Sequence, residues 1–311
     1  MANRSAGFYF ELIGFPGIPP QFDVLFSFTM LILYNISLVS NGSVMVLIIM
    51  KEKLHEPLYI MIANLAFSNL LFDTVTLPKF IAKYWFDGGR IYFLPCIIQM
   101  YFVHFLAGVD PFILMLMAFD RYVAICKPLR YSSIVTHRVI VVTCGMFWLL
   151  ASLVTLLNLL VLKHPFCGPN KILNLFCNTS TLLRLACDDV NDTREAILTY
   201  AMVFLFLPLT FIILSYSIII VSIISLNHSK SWRKVLSTCT SHWMIMSLFY
   251  VPRVFVYIAN YARLVLSPNL NVFLIFLYSY LPHLANPLIY CLRTEEIKRI
   301  IANILKSRFE T

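Results

Sequence analysis

Seven long apolar runs separated by short polar connections set the rhythm of this chain. They cover about residues 24–50, 58–82, 92–125, 139–162, 196–226, 235–260 and 269–292. A helix crosses a bilayer with roughly 20 apolar residues, so each run predicts one span. The pattern as a whole predicts an all-α membrane protein, a seven-transmembrane helix bundle, with a short amphipathic helix at the inner interface after the seventh helix, to about Lys306. Pro78, Pro111, Pro208, Pro252 and Pro287 interrupt the runs. Such breaks are tolerated because neighbouring helices, side chains and water satisfy the freed backbone groups. No repeat of 20–50 residues is visible, and the connections leave no room for a soluble domain.

Composition strengthens that reading. Charged residues make up 13% of the 311 positions and the mean hydropathy is +0.81, whereas soluble domains carry about a quarter charged residues. The net charge of +9 suits a cytoplasmic membrane face, and no basic domain is present to bind nucleic acid. The segments 51–56, 121–138, 226–235 and 292–311 hold 14 lysines and arginines, against 8 in the N-terminus and the other three connections. The positive-inside bias puts the C-terminus inside and the N-terminus outside. Residues 1–311 are then a single domain with an extracellular N-terminus (1–23), a long extracellular loop (163–194) and a cytoplasmic tail (293–311). The first 21 residues lack the features of a cleaved signal peptide. Cys96, Cys167, Cys177 and Cys187 fall outside, where disulfides form, and four cysteines allow three pairings. Cys126, Cys144, Cys239 and Cys291 read as free thiols. Asn3, Asn178 and Asn191 head outward-facing glycosylation sequons; those at Asn35 and Asn41 lie in the first span and are discounted.

Polar residues at membrane depth face the bundle and find one another. Asn41, Asn69 and Asp110 are the candidates for a polar core, with Asn286 as a further partner. Intramembrane acids are functional by default, so Asp110 is either an ion- or proton-sensitive site or an interhelical hydrogen-bond acceptor. Arg121, at the inner end of the third span, needs a holder, and the adjacent Asp120 is the nearest. On the outer half, Arg253, Tyr257 and Tyr261 repeat every four residues on one face of helix 6. His104, Ala107 and Gly108 form a matching patch on helix 3, with Tyr200 near the top of helix 5 and Ser180 in the long loop. Arg253 directly follows Pro252, below the outer boundary of the membrane, where it pairs with an acid, snorkels outward, or recognises an anionic or strongly polar small molecule such as a carboxylate by charge-assisted hydrogen bonds. His104, His242 and His283 are scattered, so no metal or cofactor site is expected. No phosphate loop, zinc motif or nucleophile constellation supports an enzyme.

Five motifs stand in order from end to end: LHEPLY at 54–59, MAFDRYVAIC at 117–126, SY at 215–216, STCTSH at 237–242 and NPLIY at 286–290. Together they make the chain resemble the rhodopsin-like G protein-coupled receptors and, within them, the odorant receptors. FYVP at 249–252, PFC at 165–167, LAC at 185–187 and RTEEIK at 293–298 are similar to the class I, fish-like branch. The resemblance implies a small odorant bound in the outer half of the bundle, and coupling to a heterotrimeric stimulatory (olfactory) G protein that raises cyclic AMP, in the plasma membrane of olfactory cilia. It implies disulfides Cys96–Cys177 and Cys167–Cys187. It assigns activation and coupling to Asp120, Arg121, Tyr122, Tyr216, Ser237, Thr238, Cys239, His242, Asn286, Pro287 and Tyr290. The family's helix 2 aspartate is here Asn69, and its usual helix 3 glutamate is here Asp110, which leaves one carboxylate where the pattern offers two. A receptor for a non-odorant metabolite is the nearest alternative. A secondary transporter is further off, because such folds carry internal repeats and broken helices.

Overall fold

The computed structural model describes residues 8–17, 19–86, 88–167, 169–225, 232–264, 266–293 and 297–299. Seven helices are long and apolar enough to cross a membrane. They are α1 (Asp23–Met50), α2 (Pro57–Phe86), α3 (Phe93–Cys126), α4 (His137–Thr155), α5 (Asn191–Ser225), α6 (Trp232–Tyr261) and α7 (Pro268–Arg293). Each lies within a few residues of its apolar run. α4 continues as a 3-10 helix over Leu156–Lys163, and its first turn is capped by Thr136, whose Oγ1 accepts from the Val139 amide at 3.3 Å. The tail after helix 7 falls outside the described residues except for 297–299, which are helical.

Burial separates the axis of the bundle from its rim. In α3, 61% of the apolar window is buried, against 22% in α1 and in the α4 span. The rim helices turn Leu25, Phe28, Ile32, Met146 and Leu149 outward, as a helix must whose other face meets lipid. α3 therefore touches most of its neighbours, and any polar group on it reaches the interior. Pro111, Pro208, Pro252, Pro282 and Pro287 all lie inside helices that continue through them.

The hydropathy pattern gave no hint of a small three-stranded sheet on the outer face. β1 (Tyr9–Leu12) pairs antiparallel with β2 (Arg90–Tyr92) and parallel with β3 (Lys171–Ile172), in the order β2-β1-β3. Phe10 and Leu12 are fully buried beneath it while Tyr9 and Glu11 face out, the period-2 alternation of a strand. Four residues are too few for that alternation to stand out from chance. At Gly14, two residues past the strand and at φ +70°, a Cβ would lie 2.8 Å from the Phe80 ring, so this position requires glycine. Disulfides Cys96–Cys177 and Cys167–Cys187 anchor the long loop to the outer end of α3 and close it on itself.

Candidate functional site

Arg253 and Tyr257, one turn apart on α6, face α3 and α5 across a cavity of about 50 Å³ whose walls include His104, Ala107, Gly108 and Tyr200. Six of the eight residues predicted for the outer pocket thus come together. The other two do not. Tyr261 stands 71% exposed at the end of α6, where the fourfold spacing carries it past the rim. Ser180 lines a second cavity, of about 200 Å³, with Arg184 and Arg194.

The Arg253 guanidinium is the unusual charge of this cavity. It is 5% exposed, donates from Nη1 to the Ala107 carbonyl at 3.2 Å, and lies over the rings of Phe249 at 4.0 Å and Tyr278 at 5.1 Å. Its Nε has no hydrogen-bond partner, and among the described residues it enters no ion pair. Ring faces and one carbonyl soften the charge without neutralising it. A cation held so far from water is costly unless something compensates it.

A polar chain opposite Arg253 joins the wall to the long loop. His104 Nε2 lies 3.0 Å from Thr179 Oγ1, whose hydroxyl donates to Asn158 Oδ1 at 2.6 Å, and the Asn158 amide donates to the Tyr200 hydroxyl. Four elements meet in it: α3, the end of the α4 span, α5 and the short helix Thr179–Leu183. Sequence reading missed Asn158 and Thr179. The signal for Asn158 was present, an amide inside an apolar run.

The polar core corrects the sequence expectation in two ways. Asn41 and Asn69 do pair, Nδ2 of Asn69 donating to Oδ1 of Asn41 at 3.2 Å, and Asn41 donates onward to the His283 carbonyl at 3.0 Å. Asp110 is bonded to none of the asparagines; its Oδ1 accepts from Ser68 at 2.7 Å. Asn286 is buried with Oδ1 unpartnered. The core also holds a second carboxylate, outside the two positions of the family pattern. Asp73, one turn beyond Asn69 on the same face of α2, is 2% exposed, accepts from Ser37 Oγ at 2.5 Å, and lies 2.8 Å from His283 Nδ1. The histidine read as scattered is thus half of a buried pair. Among the described residues no three His, Cys, Asp or Glu side chains gather as metal ligands.

At the inner end, Asp120 is 1% exposed. Its Oδ2 stands 3.9 Å from Arg121 Nε, an electrostatic contact beyond hydrogen-bond reach, while Oδ1 accepts from the Tyr131 hydroxyl at 2.8 Å. Burial, and then the Asp120 carboxylate, raise Tyr131 above the ordinary tyrosine value, so the phenol stays a donor. This partner lies past Pro128, in a short helix (Tyr131–Ile134) that hydropathy does not reveal. Tyr216 on α5 meets His242 on α6 at 2.5 Å, and Tyr290 on α7 donates to the Met117 sulfur on α3 at 3.8 Å. Tyr122 is half-buried, with Lys127 Nζ 5.9 Å from its ring centre; Pro287 lies inside α7. The side chains of Ser237, Thr238 and Cys239 lie outside the described residues.

Of the sequons, Asn191 is exposed at the start of α5 and Asn3 lies outside the described residues. Asn178 is 8% exposed and caps the Thr179–Leu183 helix, its Oδ1 accepting from the Thr181 amide at 2.9 Å.

Comparison with known proteins places this geometry. A family model described as olfactory receptor matches residues 30–308. Olfactory receptor 1E16 of Mus musculus is 35% identical, over 98% of this chain and 97% of that protein. Olfactory receptor-like protein I9 of Rattus norvegicus is 35% identical over 97% and 96%, and olfactory receptor 12D1 of Homo sapiens 34% over 98% and 95%. Among solved structures, squid rhodopsin superposes with a TM-score of 0.71 over 93% of this chain and 87% of that one, at 18% identity, a likeness of fold.

Proposed function

The chain belongs to the olfactory receptor family, and from that premise we propose that it is an odorant receptor whose ligand is a small organic anion, a carboxylate above all, bound beside Arg253. The observation that carries the reading is the buried guanidinium lining this cavity with a free Nε and, among the described residues, no carboxylate partner. A carboxylate supplies both the missing charge and an acceptor in the fork geometry that arginine matches. Its apolar tail would lie against Phe204, Leu205 and Pro111.

The cavity of about 50 Å³ is small beside the roughly 300 Å³ at the low end of ligand sites. An odorant must therefore push its walls apart, and α5 and α6 are the walls that stand opposite α3. Ligand binding then favours the conformation in which those helices stand further from α3. At the inner end the Tyr216–His242 contact moves with them, Arg121 leaves Asp120, and a stimulatory G protein engages the crevice and raises cyclic AMP. Shifting such an equilibrium from 1:99 to 99:1 needs about 5.5 kcal/mol of differential affinity, more than a small odorant provides, so partial responses are expected. The basic inner segments and the two disulfides at the opposite end support an outward N-terminus in the plasma membrane; the FYVP and RTEEIK motifs support the class I branch, and ciliary placement follows the family.

The test is Arg253→Gln in a cell-based cyclic AMP assay, with carboxylates of several chain lengths against the matching alcohols. Hydrogen bonds to charged groups contribute about 1.5–3 kcal/mol, so potency for carboxylates should fall about 10- to 100-fold while alcohol responses hold. Equal carboxylate potency in the variant refutes the reading. The inner contact has its own test. Asp120→Asn keeps an acceptor for Tyr131 but removes the charge facing Arg121, and ligand-free cyclic AMP should rise at matched surface expression. An unchanged basal level would mean that the charge restrains nothing.

A further inference from the structure

The second cavity is four times the volume of the first, about 200 Å³ against 50 Å³, and the two share no lining residue. α5 contributes Arg194 and Ile197 to the upper cavity and Tyr200 to the deeper one; α6 contributes Asn260 to the upper and Tyr257 to the deeper. The upper cavity is thus stacked one helical turn above the other. Between them lies the short helix Thr179–Leu183. Thr179 reaches down to His104, whereas Ser180 and Leu183 look into the upper cavity.

Two cations, Arg184 and Arg194, line this upper cavity, and no acidic side chain is among its described lining residues. Most carboxylates of the same stretch are committed elsewhere. Glu195 pairs with Arg263 at 3.3 Å, Asp188 with His164 at 2.9 Å, and Asp189 accepts from the Asn191 amide at 2.9 Å; Asp192 is the remaining acid. Neither Arg184 nor Arg194 enters an ion pair among the described residues. The rest of the lining mixes Ser180 and Asn260, both polar, with the apolar Leu183 and Ile197.

We propose that this upper cavity is a separate, low-affinity binding site for amphipathic organic anions, with Arg184 and Arg194 holding the anionic group and the Leu183–Ile197 wall holding the alkyl part. It deepens the reading of an anion receptor, which rests on Arg253, but uses different residues. The two sites differ in a measurable property. Arg184 and Arg194 are exposed, whereas Arg253 is buried, so salt screens the upper site strongly and the lower one little. The site collects anions from the outer solution directly above the deeper cavity.

The experiment uses the full chain in nanodiscs of neutral phosphatidylcholine and hexanoate as the probe, read by saturation-transfer NMR with hexanol as the uncharged control. The parent receptor should give a hexanoate signal with a salt-sensitive and a salt-resistant part. In Arg184→Gln/Arg194→Gln the salt-sensitive part is lost and the salt-resistant part stays, with hexanol unchanged; Arg184→Lys/Arg194→Lys keeps both. Both arginines are on the surface, so the variants should fold, and an unchanged melting temperature checks this. A double Gln variant with the parental salt-sensitive signal overturns the proposal, as does a parent receptor that gives no salt-sensitive signal. If Arg253→Gln leaves the salt-resistant part intact while the double Gln variant still loses the other, the upper site stands and the Arg253 reading falls.

Discussion

Replacing Cys96 or Cys177 by serine should remove most of this receptor from the cell surface, one of the two largest effects expected of any single substitution. The bond joins residues 81 apart, and both cysteines are fully buried. Cross-linking a loop of that length restricts the unfolded chain by about 4–5 kcal/mol in the loop-entropy account, and loss of a native disulfide generally costs about 2–5 kcal/mol. The local structure adds to this. The Cys177 amide donates to Gln99 Oε1 at 2.9 Å, and Thr179, two residues on, reaches His104 and Asn158. Freeing Cys177 therefore releases the outer wall of the deeper cavity as well as the loop. Cys167–Cys187 closes only 20 residues and lies within the loop, so its loss should cost less, about 3 kcal/mol on the same account. Surface immunostaining of an epitope-tagged receptor, with melting temperature in detergent before and after reduction, makes the comparison. A Cys96→Ser receptor that reaches the surface at parental level and melts with the parent would refute the argument.

What was legible in the sequence follows from which forces leave a local pattern. The seven spans could be read to within a few residues because lipid demands an apolar run of set length, which each helix carries in its own residues. Arg253 and Tyr257 could be placed on one face because four residues make about one turn, and the same rule failed one turn later, where Tyr261 emerges beyond the rim. Contacts between distant segments leave no such trace. Asp73 and His283 meet across 210 positions and Asp120 meets Tyr131 around a proline turn; helix rotation and loop path, which hydropathy does not encode, decide both. The N-terminal strand is invisible for a related reason, since its partners are a three-residue strand and a two-residue strand far along the chain. Ser180 lines the upper cavity and not the deeper one because Thr179 and Ser180 point to opposite sides of a five-residue helix that leaves no hydropathy pattern. Asp110 is buried, as an acid within an apolar run must be to find a partner, yet that partner is Ser68, a hydroxyl that the asparagines nearby do not point to.

The Asp73–His283 pair should be the polar contact whose disruption destabilises the bundle most. Its two side chains are 2% and 6% exposed. Ser37 donates to the second carboxylate oxygen, and Asn41 donates to the His283 carbonyl, so α1, α2 and α7 converge on four residues. Removing one member of a buried pair strands the other in a medium without water, at a cost of about 3–5 kcal/mol. Removing both strands neither partner of the pair. Asp73→Leu and His283→Leu should therefore each lower stability severely, while Asp73→Leu/His283→Leu should recover part of the loss, leaving a coupling energy of about 0.5–3 kcal/mol. Ser37 would still lack its acceptor, so recovery should be incomplete, and adding Ser37→Ala to the double variant should restore more. Thermal unfolding of the purified receptor in one detergent provides all four values. Strictly additive losses would show that the contact between α2 and α7 contributes nothing as a pair, and that the burial of each side chain is a separate cost.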